Sequence, residues 1–279
     1  MSETQANGSP QEDFLSCYRG RQASLHHMAY MRMAKVLLAL YLCQKAGIIL
    51  ENKSIFDYGF GTGTFFRYCP PSSRLSGVEL DSENVFAVQS MLRKRGLLKT
   101  DLHPIDIQFW SEHPLLKKRY DIVLCSHVLE HIADPVSFLE RMRDCIDTGG
   151  VFIGLVPINE RKIDPHHVQE VNRRKIEEWA ELAGLQINMW LEADPWLYWV
   201  QPIFASRNKG THLIAEMISV SLGVPATAMG PQMWFRLGNL FGWLTRSLPT
   251  QAAFVLTHHE VGLASRSAQR NVGLSTTNV

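Results

Sequence analysis

The sequence predicts an α/β protein, a doubly wound and mostly parallel sheet carrying a helical cap. Three observations predict it. Short apolar runs alternate with segments of helical period, and such alternation gives parallel strands whose crossovers coat both faces of one sheet. A glycine-rich turn, Gly59-Phe60-Gly61-Thr62-Gly63, follows one of these runs at once. An acidic residue, Glu79, closes the next run.

Taken in order, residues 1–12 are rich in Ser, Gln, Asn, Gly and Glu and are expected to stay disordered. From Arg21 to Ala46 apolar residues recur at helical spacing, with Gly47 as the stop. Ser54-Ile55-Phe56-Asp57 reads as a buried strand, and a helix is expected after the glycine turn. Leu75 to Leu80 is a second strand and Glu83 to Arg95 a helix. Asp121-Ile122-Val123-Leu124-Cys125 is the next clear strand, and Pro135 to Ile146 a helix ending at Gly149-Gly150. Val151 to Val156 is a strand, Arg173 to Ala183 a helix stopped by Gly184, and Leu185 to Leu191 a strand. Ala252 to Thr257 is the last.

Between them, residues 194–250 break the rhythm and are expected to form an inserted helical cap. The folded domain is expected to span 21–264. The flanks, 1–20 and 265–279, are expected to be disordered.

The chain has 279 residues, of which 46% are hydrophobic, enough to fill one large core. Formal net charge is +1, from 28 basic and 27 acidic residues, so no nucleic-acid partner is expected. Five cysteines (Cys17, Cys43, Cys69, Cys125 and Cys145) include no CxxC pair, which argues against a disulfide framework or a thiolate metal site. The N-terminus has no signal-peptide apolar stretch, and Val36 to Cys43 is too short to span a bilayer. A cytoplasmic protein is expected.

The glycine turn carries the chemistry. A backbone that must pass close beneath a ligand needs residues without Cβ atoms. The carboxyl edge of a doubly wound sheet is where ligands bind, and a carboxylate ending the next strand can accept both ribose hydroxyls of a nucleoside. The nicotinamide fingerprint is G-x-G-x-x-G. Gly59 and Gly61 fit it, but the third glycine is Gly63, and the required position holds Thr64.

The run Asp57-Tyr58-Gly59-Phe60-Gly61-Thr62-Gly63, followed by Gly77-Val78-Glu79-Leu80-Asp81, resembles the first two motifs of class I S-adenosylmethionine-dependent methyltransferases. The stretch from Tyr120 to His131, ending His127-Val128-Leu129-Glu130-His131, is similar to the fourth motif of that family. It is nearest the group that includes ubiquinone-pathway and natural-product enzymes. Val156-Pro157, Asp164-Pro165-His166-His167 and Ala183-Gly184-Leu185 follow the same order.

The resemblance implies a seven-stranded Rossmann-like sheet with S-adenosylmethionine as cofactor. It implies that Asp57 orders the loop and that Gly59, Gly61 and Gly63 pass beneath the cofactor. Glu79 would hold the ribose, Leu80 would pack on adenine, and Ser126 and His127 would flank the methionine moiety. The family often bonds the adenine amino group with an aspartate after its third strand. Here the expected stretch, Ile107 to Ser111, holds none, with Glu112 near and Phe109 or Trp110 as packing partners instead.

Methyl transfer from a sulfonium asks the protein chiefly to align the reactants and exclude water. A base is needed only where the acceptor must lose a proton. Three readings compete for the histidines. Glu130 and His131 brace the loop; or His131, His166 or His167 is a general base; or His127, Glu130, His131 and a later histidine hold a divalent ion. A resident metal is not the expectation. His26-His27, with Tyr30 and Arg32, are expected to be partly buried surface beside the cofactor.

The cap region carries Trp190, Trp196, Tyr198, Trp199, Trp234, Phe235, Phe241 and Trp243. These either pack the cap, or line a pocket for an aromatic, sugar or lipid-linked acceptor. A third reading has Trp234 to Leu248 lying on a membrane surface, with Arg236 and Arg246 as its polar face. The expected activity is methylation of a small organic acceptor, at oxygen. The alternatives are a cofactor-binding but non-catalytic module and a nicotinamide oxidoreductase.

Overall fold

In a computed structural model, the described residues are 30–106, 109–160, 166–195, 198 and 209–259. The predicted disordered flanks, Cys17, His26-His27, Asp164-Pro165, Trp196 and Trp199 lie outside them.

Seven strands form one sheet in the order β3-β2-β1-β4-β5-β7-β6. They are β1 (Ser54–Tyr58), β2 (Arg74–Glu79), β3 (Thr100–Pro104), β4 (Tyr120–Ser126), β5 (Ile146–Pro157), β6 (Leu185–Ala193) and β7 (Gln251–His258). β1 to β5 pair in parallel, while β7 runs antiparallel to both β5 and β6. The strands are short apolar runs because both faces of the sheet are covered.

Side chains alternate between two cores. Ile55, Ile122, Leu124, Ile153, Leu155 and Val255 enter one. Phe56, Val123, Cys125, Phe152, Val156 and Phe254 enter the other.

The first core is roofed by α1 (Tyr30–Ala46), α2 (Ser82–Lys94) and part of α5 (Lys209–Thr245), the second by α3 (Pro135–Asp144) and α4 (Arg173–Leu182). Short polar side chains start the helices by accepting from otherwise unpartnered N–H groups. Asp81 accepts from Glu83, Asp134 from Ser137 and Asn172 from Lys175, at 2.9, 3.1 and 3.0 Å. Gly47 (φ 67°) and Gly184 (φ 74°) end α1 and α4 in the left-handed region that favours glycine.

Three elements depart from the sequence expectation, the first being the helix expected to stop at Gly149-Gly150: α3 ends at Asp144, and β5 already runs from Ile146 through those glycines. After the glycine turn comes only a 3-10 turn, Phe65–Tyr68, because Cys69 precedes Pro70 and is extended at ψ 138°. And β3, at Thr100–Pro104, is a strand that the sequence reading did not assign. Its segment TDLHP has a single buried side chain, Leu102, and so no apolar periodicity to read.

The cap helix α5 lies between β6 and β7 in the chain and breaks at Gly230 (φ 72°), just before Pro231. The aromatics assigned to the cap divide. Trp234 is buried in the first core and Phe235 stacks on Tyr41 of α1 at 4.2 Å. Trp190 belongs to β6 and stacks on Phe254 in the second core, away from α5. Trp243 is 74% exposed. No helix among the described residues is long and apolar enough to cross a membrane.

Candidate functional site

The carboxyl ends of β1, β2, β3 and β4 meet at one edge of the sheet. At its centre Gly59, Gly61 and Gly63 have φ of 75°, 54° and 63°, a run that only glycine adopts without strain. Their surroundings differ. A Cβ on Gly59 would stand 2.7 Å from Val128 Cγ2, and one on Gly63 2.6 Å from Val88 Cγ1. A Cβ on Gly61 would meet nothing within 4 Å. Gly59 and Gly63 are thus fixed by packing, whereas Gly61 faces open space.

Two carboxylates frame this loop. Asp57, 3% exposed, is the last residue but one of β1, and its Oδ1 has no hydrogen-bond partner. Burial, with the charge of Glu79 adding to it, pushes its carboxyl well above the usual range. Glu79, at the end of β2, accepts from Gly61 N–H at 2.7 Å and from Asp81 N–H at 3.3 Å. Burial raises its carboxyl, and these N–H donors oppose the shift. Leu80 follows, packed on the second core.

Beyond β3 the chain is tied back by Ile105 N–H donating to the Glu79 carbonyl at 3.0 Å. The next residue is Asp106, and Phe109, 61% exposed, caps the loop. Asp106 therefore stands two residues after β3 and one residue before Ile107 to Ser111, the stretch in which a carboxylate was sought. Trp110 is occupied, lying edge-on to Tyr58 and tilted against Phe138.

An open seat above a glycine loop, a buried carboxylate oxygen without a partner, and acidic ends on β2 and β3 suit a ligand bearing an amino group, a ribose and a base. S-adenosylmethionine has these three parts. The residues fit it.

On the far side of the loop, β4 ends in Ser126 and His127. His127 takes φ 55°, a strained conformation for a non-glycine residue, and its N–H donates to the Leu155 carbonyl at 2.8 Å. Its ring is buried, with Nδ1 3.3 Å from Glu130 Oε1 and Nε2 without a partner. Burial, aided by the charge of Lys35, lowers its pKa to about 4, so the imidazole is neutral at ordinary pH.

The segment after His127 is a 3-10 turn, Leu129–His131, not an α-helix. His127 and His131 consequently do not share a face. Instead, Gln169 Nε2 donates to the Ile132 carbonyl at 2.8 Å and Val168 N–H to the Glu130 carbonyl at 2.9 Å, and this binds the loop at 166–169 onto the turn. It brings His167 against His131, with ring centroids 4.9 Å apart. Ligand atoms of Glu130, His131 and His167 all lie within 4.8 Å of one another. His166 joins through its carbonyl, 3.0 Å from His131 Nδ1.

α1 completes the edge. Arg32 donates to Thr62 Oγ1 at 3.2 Å, and Lys35 lies one turn on. Burial lowers the Lys35 ammonium to about 8, against the pull of Glu130 and Glu160. Nothing along the chain singles out Lys35, because a lone lysine on a helix normally faces solvent.

Comparisons with known proteins agree with this geometry. Residues 25–202 match a family described as a methyltransferase domain. A ubiquinone biosynthesis O-methyltransferase of Hydrogenovibrio crunogenus is 28% identical over 102 residues, 36% of this chain and 41% of that protein. One from Pseudoalteromonas translucida is 22% identical over 166 residues, 53% of this chain and 69% of that protein. The chain thus spans less than half of the first relative and about two thirds of the second.

Among solved structures, phosphoethanolamine N-methyltransferase 2 of Haemonchus contortus, in complex with S-adenosyl-L-methionine, superposes with a TM-score of 0.57 at 16% identity. The match covers 90% of this chain and 60% of that one, and at such identity it shows the fold. The chain belongs to the methyltransferase-domain family, built on the class I S-adenosylmethionine-dependent fold.

Proposed function

We propose that the protein transfers a methyl group from S-adenosylmethionine to a hydroxyl oxygen of a small organic acceptor. The observation that carries the cofactor half is the open seat over Gly61, framed by Asp57 and Glu79. Asp57 Oδ1, buried and without a partner, suits the ammonium of the cofactor's amino-acid end. Glu79 suits the ribose hydroxyls, Asp106 the adenine amino group, and Leu80 and Phe109 the faces of the base. Gly59 and Gly63 hold the loop, and Ser126 and His127 line the methionine side. When bound, the cofactor supplies an electrophilic methyl on a good leaving group. The chain's own work is orientation and exclusion of water.

Oxygen as the acceptor atom is supported by the polar cluster of Glu130, His131, His166 and His167 at this edge, which suits an acceptor that must lose a proton. It is also supported by the relatives named as O-methyltransferases. Their ubiquinone-pathway names support a ring-bearing, largely apolar acceptor.

Calorimetric titration with S-adenosylhomocysteine, with NADH as control, tests the cofactor. Turnover of S-adenosylmethionine against a panel of phenols, catechols and sugars tests the acceptor. Micromolar binding of the homocysteine product and turnover with a hydroxylated acceptor are expected. Binding without turnover of any acceptor would favour a non-catalytic module, and NADH binding alone would overturn the reading.

A further inference from the structure

We propose that the outer face of α5, beyond its break at Gly230, docks on the surface of an anionic lipid bilayer. Three observations carry it.

The first is an apolar face without a cover. Met233, Leu237, Leu240 and Leu244 recur at steps of four, three and four residues, which aligns them along one side of the helix. Trp243 flanks this stripe, and Leu248 follows just past the helix end. All six are between 41% and 74% exposed, while Trp234 on the inner side fills the first core. The core is therefore served by one side of the helix alone, and a continuous apolar stripe on the other side marks an interaction surface.

The second is charge. From Met217 to His259 the sequence holds no Asp or Glu, and its only Arg or Lys residues are Arg236 and Arg246. Both are exposed, and neither is ion-paired among the described residues. Arg236 stands one turn from Met233 and one turn from Leu240, beside the stripe. In a symmetric pairing of two such faces the arginines would meet no carboxylate of the face itself. Lipid phosphates do receive them: arginine stems lie along the apolar layer while the guanidinium groups reach the headgroups. Trp243 suits the boundary between the two layers. The helix is not apolar enough to cross a bilayer, so it lies in the interface.

The third is position. β7 starts at Gln251, opposite Pro157 at the end of β5, so α5 finishes at the carboxyl edge of the sheet. There Asn159 Nδ2 donates to the Pro249 carbonyl at 2.9 Å, and Thr250 Oγ1 to the Asp194 carbonyl at 2.7 Å. Asn159 adjoins Glu160, whose carboxylate lies 2.8 Å from His167 Nδ1. The docking face is thereby fixed beside the histidine cluster. Docking does not rest on the proposed methyl transfer. Only its use does, which is to bring the acceptor edge against the layer in which apolar compounds collect.

The test is co-sedimentation of the full chain with vesicles of phosphatidylcholine, with and without about one third phosphatidylglycerol. Partition onto the anionic vesicles is expected. It should be roughly 25-fold weaker onto phosphatidylcholine alone, since each arginine near an anionic surface contributes about five-fold. Leu240→Glu with Leu244→Glu, at positions exposed enough to leave the core intact, should weaken partition by about 10-fold or more. Arg236→Gln with Arg246→Gln should erase the preference for phosphatidylglycerol. Phe86→Glu, which removes a comparably exposed ring from α2, should change nothing.

No partition onto anionic vesicles, equal partition onto both kinds, or partition untouched by the leucine pair overturns the proposal. So does a stable dimer in light scattering that the leucine pair splits, which would give the face to a second copy. S-adenosylhomocysteine titrated into the same samples keeps the two readings apart. Vesicle binding without cofactor binding leaves the docking face and removes methyl transfer, and the reverse removes only the docking face.

Discussion

The Glu79 carboxylate accepts the Gly61 N–H at 2.7 Å, so the end of β2 holds the glycine loop in shape. The group suited to the ribose is also a structural post of the loop. Glu79→Ala should therefore weaken S-adenosylhomocysteine binding at least 10-fold and lower stability by about 1.5–3 kcal/mol, as for loss of a hydrogen bond to a charged group. Glu79→Gln, which can still accept from Gly61, should recover most of the stability and less of the affinity. Calorimetry and urea unfolding on the same samples check this. Equal recovery of both would remove the distinction.

Gly61 and Gly63 should respond differently to alanine. Each pays for a left-handed conformation, about 1–2 kcal/mol. Gly63→Ala also drives a Cβ to 2.6 Å from Val88 Cγ1, adding about 1–3 kcal/mol of overpacking. Gly61→Ala places its methyl in open space, so it should fold with the smaller loss and fail to bind the homocysteine product. If Gly61→Ala binds normally, the space above it is not where the ligand sits.

Asp57→Asn should separate stability from binding. The carboxyl is held above its unfolded value by burial, so folding favours the protonated form. The wild type thus loses stability as pH rises above the unfolded value of about 3.9 toward the folded one. The amide carries no such cost. The variant should be as stable as the wild type near pH 4 and more stable at pH 8, yet bind cofactor at least 10-fold more weakly. Urea unfolding at the two pH values decides the first half.

Asp121 behaves in the opposite sense. Burial raises its carboxyl, but the Ser54 hydroxyl and N–H, at 2.6 and 2.8 Å, and the Lys53 ammonium, at 2.9 Å, outweigh it and bring the pKa to about 2. This clamp joins the start of β1 to β4. Its contribution is present above about pH 4, the unfolded value, and fades as pH falls through 2. Asp121→Asn should cost about 1.5–3 kcal/mol at pH 7, and the gap to wild type should narrow below pH 4. A gap independent of pH would mean the charge is not what holds the two strands.

Much of this was legible in advance, and the exceptions have physical causes. Asp57, the three glycines and Glu79 could be read because a close-passing backbone restricts residue choice on both sides of it. β3 was not, since a short edge strand with only Leu102 buried has no period to detect, and with it went Asp106. The turn at Leu129–His131 is a 3-10 turn, so the i, i+4 spacing of His127 and His131 does not place them on one helical face. His167 reached the cluster through Gln169 and Val168, contacts made across the fold that no spacing along the chain reveals.

The placement of β7 governs the order in which the protein can assemble. Among the described residues it comes after all the other strands, yet it sits between β5 and β6, and β6 pairs with no other described strand. While the chain is being synthesised, β5 waits with one edge bare and β6 has no strand to pair with. The sheet is finished only when residues 251–258 have emerged and threaded into the gap. Until then the exposed edge of β5 is a template for any extended segment, and a chain stopped short of Gln251 would keep that hazard permanently.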